Sequence, residues 1–180
     1  MKINSEEARA LLDLNNYVIF RNYATPPDAS LFKEAFGAKK ELLDSDGFDY
    51  GPMKIMPSHF FEIENVDNFY NECVEVFGAK TTPLLIEGNT KGKGTDKHSD
   101  LADVIHWQCK GESEWTFYDN PETGVETKIT LTAGDAIWFK KDNDHSVENL
   151  KDKYSIIVMS TNILKDFLVK KYAEAGREFK

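Results

Sequence analysis

A mainly β fold flanked by helices is what this 180-residue chain predicts, and three observations predict it. From Leu84 onward, short apolar and β-branched runs recur at roughly 8–12-residue spacing between turn signals, which is the rhythm of a sandwich or barrel and not of a parallel sheet. The first eighty or so residues instead mix helical and extended periodicity, an α/β wrapping. Beyond Ser160, Leu164, Phe167, Leu168 and Tyr172 return at helical spacing and predict a closing helix packed on the barrel. With 41% hydrophobic and 12% aromatic residues the chain can bury one substantial core. A single domain is therefore expected, with the wrapping over about 1–83, the barrel over about 84–160 and the C-terminal helix over about 161–176.

In chain order, the Ser5 hydroxyl can cap a first helix whose Glu6 and Glu7 sit at the positive end of the dipole and whose Ala8, Leu11 and Leu12 share a face. It should stop before Asn15-Asn16. Tyr17–Phe20 reads as a strand, Asp28–Phe36 as a helix closed by Gly37, Ser45–Pro52 as a loop and His59–Ile63 as a strand. A further helix runs from an Asn65 cap to Phe77 and ends at Gly78. The barrel strands are Leu84–Ile86, Ala102–Cys109, Glu114–Tyr118, Thr127–Leu131, Ala136–Phe139 and Tyr154–Met159, with Lys110-Gly111 as a hairpin turn.

Charge and composition narrow the function. The formal net charge of −9 would repel a phosphate backbone, which argues against nucleic acid as a partner. The longest apolar runs, such as Ile156–Met159, are far short of the ~20 residues that span a bilayer, and Met1–Glu7 lacks the apolar core of a signal peptide. A soluble cytoplasmic protein is expected. Cys73 and Cys109 have no metal-like or redox-motif spacing and read as buried thiols.

The chemistry concentrates in Gly92–Gly111 and above all in His98-Ser99-Asp100. On a strand, side chains two apart share a face, so this imidazole and this carboxylate can converge on one ion if the segment is extended. A third ligand is available at His145. Gly92, His98, Asp100 and Gly111 stand at the spacing of the first cupin motif, and Gly134, His145 and Asn149 at that of the second. The chain thus resembles a cupin, which implies a double-stranded β-helix, the jelly-roll barrel. Asp100 stands where the motif has a second His, Val104 where it has Glu, and Lys140 and Asp142 where it has Pro and Gly. His-x-Asp followed by a distant His is the two-His-one-carboxylate set, which leaves three positions of an octahedral Fe(II) open.

Within that superfamily the run from His98 to Gln108, with Gly111 and Trp115, is similar to the JmjC-type hydroxylases. The tail His145-Ser-Val147, followed by Lys153-Tyr-Ser155, is similar to prolyl-hydroxylase-like enzymes. These matches cover about Leu84 to Ser160. The resemblance implies an Fe(II)- and 2-oxoglutarate-dependent oxygenase, with 2-oxoglutarate and O2 as small-molecule partners and an unidentified protein or small molecule as substrate.

JmjC enzymes anchor the far carboxylate of 2-oxoglutarate with a base two residues before the Trp, and that position here is Ser113. A hydroxyl cannot balance a buried carboxylate. Lys153 stands where prolyl-hydroxylase-like proteins place their base, with Ser155 adding a hydrogen bond from the same strand face and Thr95 as a secondary contact. Lys151-Asp-Lys153 also reads as a solvated hairpin tip. His106 shares the parity of His98 and Asp100, and is either a core imidazole or a contact to substrate or cosubstrate. Thr90–Lys97 reads as a solvated glycine-rich loop more readily than as a lid over an anionic substrate. Trp115, Phe117 and Trp138 read as core, and His59 as structural. Two other functions stay open: a metal-dependent cupin enzyme that does not use 2-oxoglutarate, and a non-catalytic cupin that binds a small molecule or protein.

Overall fold

The computed structural model describes residues 1–46, 53–78, 81–89, 94–120, 124–162 and 170. Three helices, α1 (Glu6–Asn15), α2 (Ala29–Asp46) and α3 (Glu64–Phe77), alternate in the first half with strands β1 (Tyr17–Phe20) and β2 (Met53–Ile55). Eight strands follow: β3 (Thr82–Gly88), β4 (Thr95–His98), β5 (Val104–Lys110), β6 (Glu112–Asn120), β7 (Val125–Thr132), β8 (Ala136–Phe139), β9 (His145–Asn149) and β10 (Lys153–Met159). The larger antiparallel sheet has the order β1-β8-β5-β10-β3-β2 and the smaller β4-β9-β6-β7. From β3 to β10 the strands thus alternate between the two sheets, except for the β6–β7 hairpin within the smaller one, in the order of a double-stranded β-helix.

Alternation along each strand divides the core in two. Val104, Trp115, Phe117, Ile129, Leu131, Ile137, Phe139, Val147 and Ile157 fill the space between the sheets. Their neighbours Ile105, Trp107, Cys109, Trp138, Tyr154, Ile156 and Val158 face the helices and pack with Phe32, Phe60, Val66, Phe69 and Cys73. Burial on both faces explains why β5 and β10 are buried almost end to end instead of alternating. Both cysteines are free and buried, as expected. Among the described residues no helix is long and apolar enough to cross a membrane.

Several boundaries differ from expectation. The amide of Ala8 does bond the Ser5 hydroxyl (3.2 Å), but α1 runs through Asn15 and is closed by Asn16 at φ 64°. Gly37 does not end α2, because the Ala-Lys-Lys-Glu-Leu-Leu that follows consists of strong helix formers. Ser58–Glu62 is a 3-10 turn entered from Pro57, where a strand was expected at His59–Ile63; Phe60 is fully buried from it. Helix α3 starts at Glu64 after Ile63, and the Asn65 amide bonds Thr25 O (3.2 Å) instead of capping. The expected C-terminal helix lies outside the described residues but for the start of its range and Lys170. So do residues 47–52 of the expected loop and residues 90–93 of the glycine-rich segment. The hairpin at Gly111 is as expected: its φ is 76°, and a Cβ there would stand 2.2 Å from Asp152 O.

Candidate metal centre

His98 is the last residue of β4 and faces His145, the first residue of β9, as its cross-strand partner. The expectation of one continuous strand through Asp100 is corrected: β4 stops at His98, and Asp100 lies in the turn before β5. His145, by contrast, sits in extended backbone, where it opens β9. A bulge between Thr95 and His98 sets Thr95 opposite Val147 and His98 opposite His145, so both side chains of β4 end on the inner face. Asp100 is fastened by its carbonyl, which accepts the amide of Asp142 from the β8–β9 loop (3.1 Å).

The donor atoms of His98, Asp100 and His145 all lie within 4.8 Å of one another, and His145 Nε2 is 3.6 Å from Asp100 Oδ2. Both imidazoles donate Nδ1–H to a carbonyl two residues upstream, His98 to Asp96 O and His145 to Asn143 O, each at 2.8 Å. In a neutral ring that bond fixes the tautomer and leaves Nε2 as the ligating atom. Burial, the largest effect on His145, lowers its pKa and favours the neutral, ligating form, although the Asn143 carbonyl and the Asp100 carboxylate pull the other way. Trp115 stacks on His145 at 5.6 Å, Phe139 lies at 4.7 Å and Phe117 at 5.8 Å, so the ring stands against an aromatic wall. His98 is exposed and Asp100 half-buried, so the remaining side opens to solvent.

Two imidazole nitrogens and one carboxylate oxygen on one face suit a divalent first-row metal. Cis donors about 2.1 Å from an octahedral ion stand about 3 Å apart, so small side-chain rotations would close these three around one ion. The open side leaves positions for other ligands, as in catalytic and unlike closed structural sites.

At the other end of β9, Asn149 pairs with Ser113 of β6. Here the barrel interior becomes polar. The Gln108 side-chain oxygen accepts from the Ser113 hydroxyl (3.1 Å), the Ser155 hydroxyl (3.5 Å) and His106 Nε2 (3.2 Å), while its own amide donates to Lys110 O (2.9 Å). Trp115 Nε1 in turn donates to Ser113 (3.1 Å). Among these, His106, Gln108, Ser113 and Ser155 are each at most 2% exposed. Burial, then the nearby Lys153 charge, lowers the pKa of His106 to about 3, so its ring is neutral and its Nδ1 is an acceptor.

Lys153 is 5% exposed, and its ammonium lies 5.9 Å from the centre of the Trp115 ring. For Lys153 the alternative of a solvated hairpin tip is thereby overturned, whereas Lys151 and Asp152 are exposed as that reading has them. Among the described residues no carboxylate forms an ion pair with it. Burial alone lowers its pKa to about 8. Of the other sequence candidates, Ser155 is buried beside it, Thr95 is exposed on the inner face of β4, and His59 is exposed on the 3-10 turn, far in sequence from the site and on no barrel strand. Sequence reasoning gave no role to Gln108, Gly88 or Asn149. Gln108 and Asn149 stood inside matched motifs, which was the available signal, whereas Gly88 carried none.

No protein-family model matches the chain, and no curated protein matches it either. Among solved structures it is similar to a cupin superfamily protein from Desulfitobacterium hafniense, at 16% identity over 46% of this chain and 68% of that one, with a TM-score of 0.38. It is similar to a cupin-2 domain containing protein from Shewanella frigidimarina at 15% identity over 68% and 89%, with a TM-score of 0.41. An oxalate decarboxylase from Bacillus subtilis matches at 16% identity over 47% of this chain but only 22% of its own, with a TM-score of 0.40. The fold assignment stands on the strand order.

Proposed function

We propose that this protein is an Fe(II)- and 2-oxoglutarate-dependent oxygenase that hydroxylates a C–H bond of a protein or small-molecule substrate. The observation that carries the reading is the buried Lys153 ammonium, without an ion-pair partner among the described residues, inside a barrel whose other end gathers His98, Asp100 and His145. A buried cation without a counterion is costly and is relieved when an anion enters beside it. Fe(II) held by the three donors would supply the redox chemistry that couples O2 reduction and loss of CO2 from 2-oxoglutarate to hydroxylation.

The residues divide that work by position. His98, Asp100 and His145 present their donors from one side and leave the solvent side to cosubstrate and O2. Trp115, Phe117 and Phe139 keep water from the back of His145. Lys153 receives the far carboxylate through a charge-assisted hydrogen bond. Gln108 holds Ser113, Ser155 and His106 in fixed orientations around it, and the His106 Nδ1 acceptor is the contact left for cosubstrate or substrate.

A second reading is a metal-dependent enzyme of the same barrel that takes a carboxylate substrate directly, favoured by Ser113 in place of the JmjC base. One experiment separates them. Anaerobic titration with Fe(II) should develop a weak visible charge-transfer band only when 2-oxoglutarate is added, and admission of air should then yield succinate. Metal-loaded protein with no band and no succinate would sink the oxygenase reading and leave the second.

A further inference from the structure

Gly88 is the direct cross-strand partner of Lys153, so the two share a face of the larger sheet. Its backbone has no positive φ, so a left-handed conformation does not account for glycine there. Space does. A Cβ on Gly88 would stand 3.0 Å from Lys153 Cε and 2.9 Å and 3.0 Å from the amide nitrogen and oxygen of Asn149. Asn149 Nδ2 is committed to Asn89 O (3.2 Å), which holds the amide in place, and its buried Oδ1 has no partner among the described residues. The aliphatic stem of Lys153 therefore crosses the floor that Gly88 leaves open, with Asn149 bordering the same space.

We infer that Gly88 and Asn149 are positioning residues for Lys153: the missing Gly88 side chain sets how far the ammonium reaches into the barrel, and the neutral Asn149 amide leaves it without a counterion. The inference rests on Lys153 as the anchor for the far carboxylate. It adds that Gly88 helps to fix the length of 2-oxo diacid the barrel accepts, and that an uncharged residue is required at position 149. A methyl at position 88 crowds Lys153 Cε and the Asn149 amide, so the lysine stem and the amide must shift away from it. A carboxylate at position 149, the same size as the amide, would pair with the ammonium from within and leave no charge for a ligand.

The test is calorimetric titration of Mn(II)-loaded protein, which binds without turning over, with 2-oxoglutarate and with the diacids one methylene shorter and longer, oxaloacetate and 2-oxoadipate. Gly88→Ala should weaken 2-oxoglutarate roughly tenfold or more and change the ratio of its affinity to those of the other two. Asn149→Asp should weaken all three by roughly tenfold to a hundredfold. Mn(II) affinity should be unchanged in both, which shows that the fold and the metal end are intact. Wild-type affinities and ratios in both variants, with Lys153→Ala still losing the diacids, would overturn the positioning inference and leave the anchor standing. A wild-type protein that binds none of the three diacids would overturn both. A crystal structure of Gly88→Ala gives a readout free of ligand: the Lys153 stem should shift away from position 88 and carry the ammonium to a new place relative to the Trp115 ring, and an unmoved lysine refutes the inference.

Discussion

The Lys153 ammonium and the Trp115 ring, reaching inward from opposite sheets, lie 5.9 Å apart, and the same indole stacks on His145. One aromatic plate thus meets both the cation of one end and a candidate metal ligand of the other. Trp115 itself is held by its bond to Ser113, and Ser113 by Gln108, so the plate is tied to the buried polar cluster around Gln108.

Metal content should depend on three residues and no others of their type. His98→Ala, Asp100→Ala and His145→Ala should each lose bound metal after purification, whereas His59→Ala, on an exposed turn, should keep it. Elemental analysis decides, and equal metal in all four variants ends the assignment.

The anchor can be weighed directly. Lys153→Ala should cost 2-oxoglutarate binding about 1.5–3 kcal/mol, roughly tenfold to a hundredfold, with metal affinity intact, and Lys153→Arg should retain much of it. Because burial lowers the pKa of Lys153 to about 8, affinity should also fall as pH rises above that value, and this dependence should vanish in Lys153→Arg.

The same burial makes a stability prediction of definite sign. The folded pKa of Lys153 is lowered from 10.5 to about 8, so between these values the unfolded chain holds a proton that the folded chain has released. Stability from this group therefore rises with pH across that window, and its penalty is complete below about pH 8. Lys153→Met should raise the ligand-free melting temperature at pH 7, by an effect on the order of 2–3 kcal/mol, and should flatten the rise toward pH 10. Unchanged melting at pH 7 would show that the ammonium already has a counterion.

Gln108→Leu should be costly for a near-isosteric change. It strips an acceptor from two buried hydroxyls and one buried imidazole, worth about 2–5 kcal/mol together. Urea midpoints measure it, and a cost under about 1 kcal/mol would mean that water reaches the network.

Much of this was legible in one sequence. The strand rhythm after Leu84 marked a barrel, and His98, Asp100 and His145 do converge. What stayed hidden has physical causes. All four residues of β4 are exposed, so no apolar alternation betrays where that strand begins or ends, and β9 is too short and mixed to signal itself. Helix α2 outran Gly37 because one glycine costs only about 1 kcal/mol among good helix formers. The Gln108 hub joins three strands, and the Gly88 floor depends on register between two, so neither is written in any local pattern.

Both ligand imidazoles are aimed by main-chain carbonyls, those of Asp96 and Asn143. In many metal proteins that duty falls to a side-chain carboxylate, which a single substitution deletes. Here the aiming oxygen belongs to the main chain and survives replacement of the side chain at its residue, so the two rings keep their orientation when that side chain changes. Substitutions at residue 96, and at residue 143 apart from the loss of the Asn143 Nδ2 bond to Asn16 O (3.4 Å), should accordingly leave bound metal unchanged, which elemental analysis of variants at both positions checks.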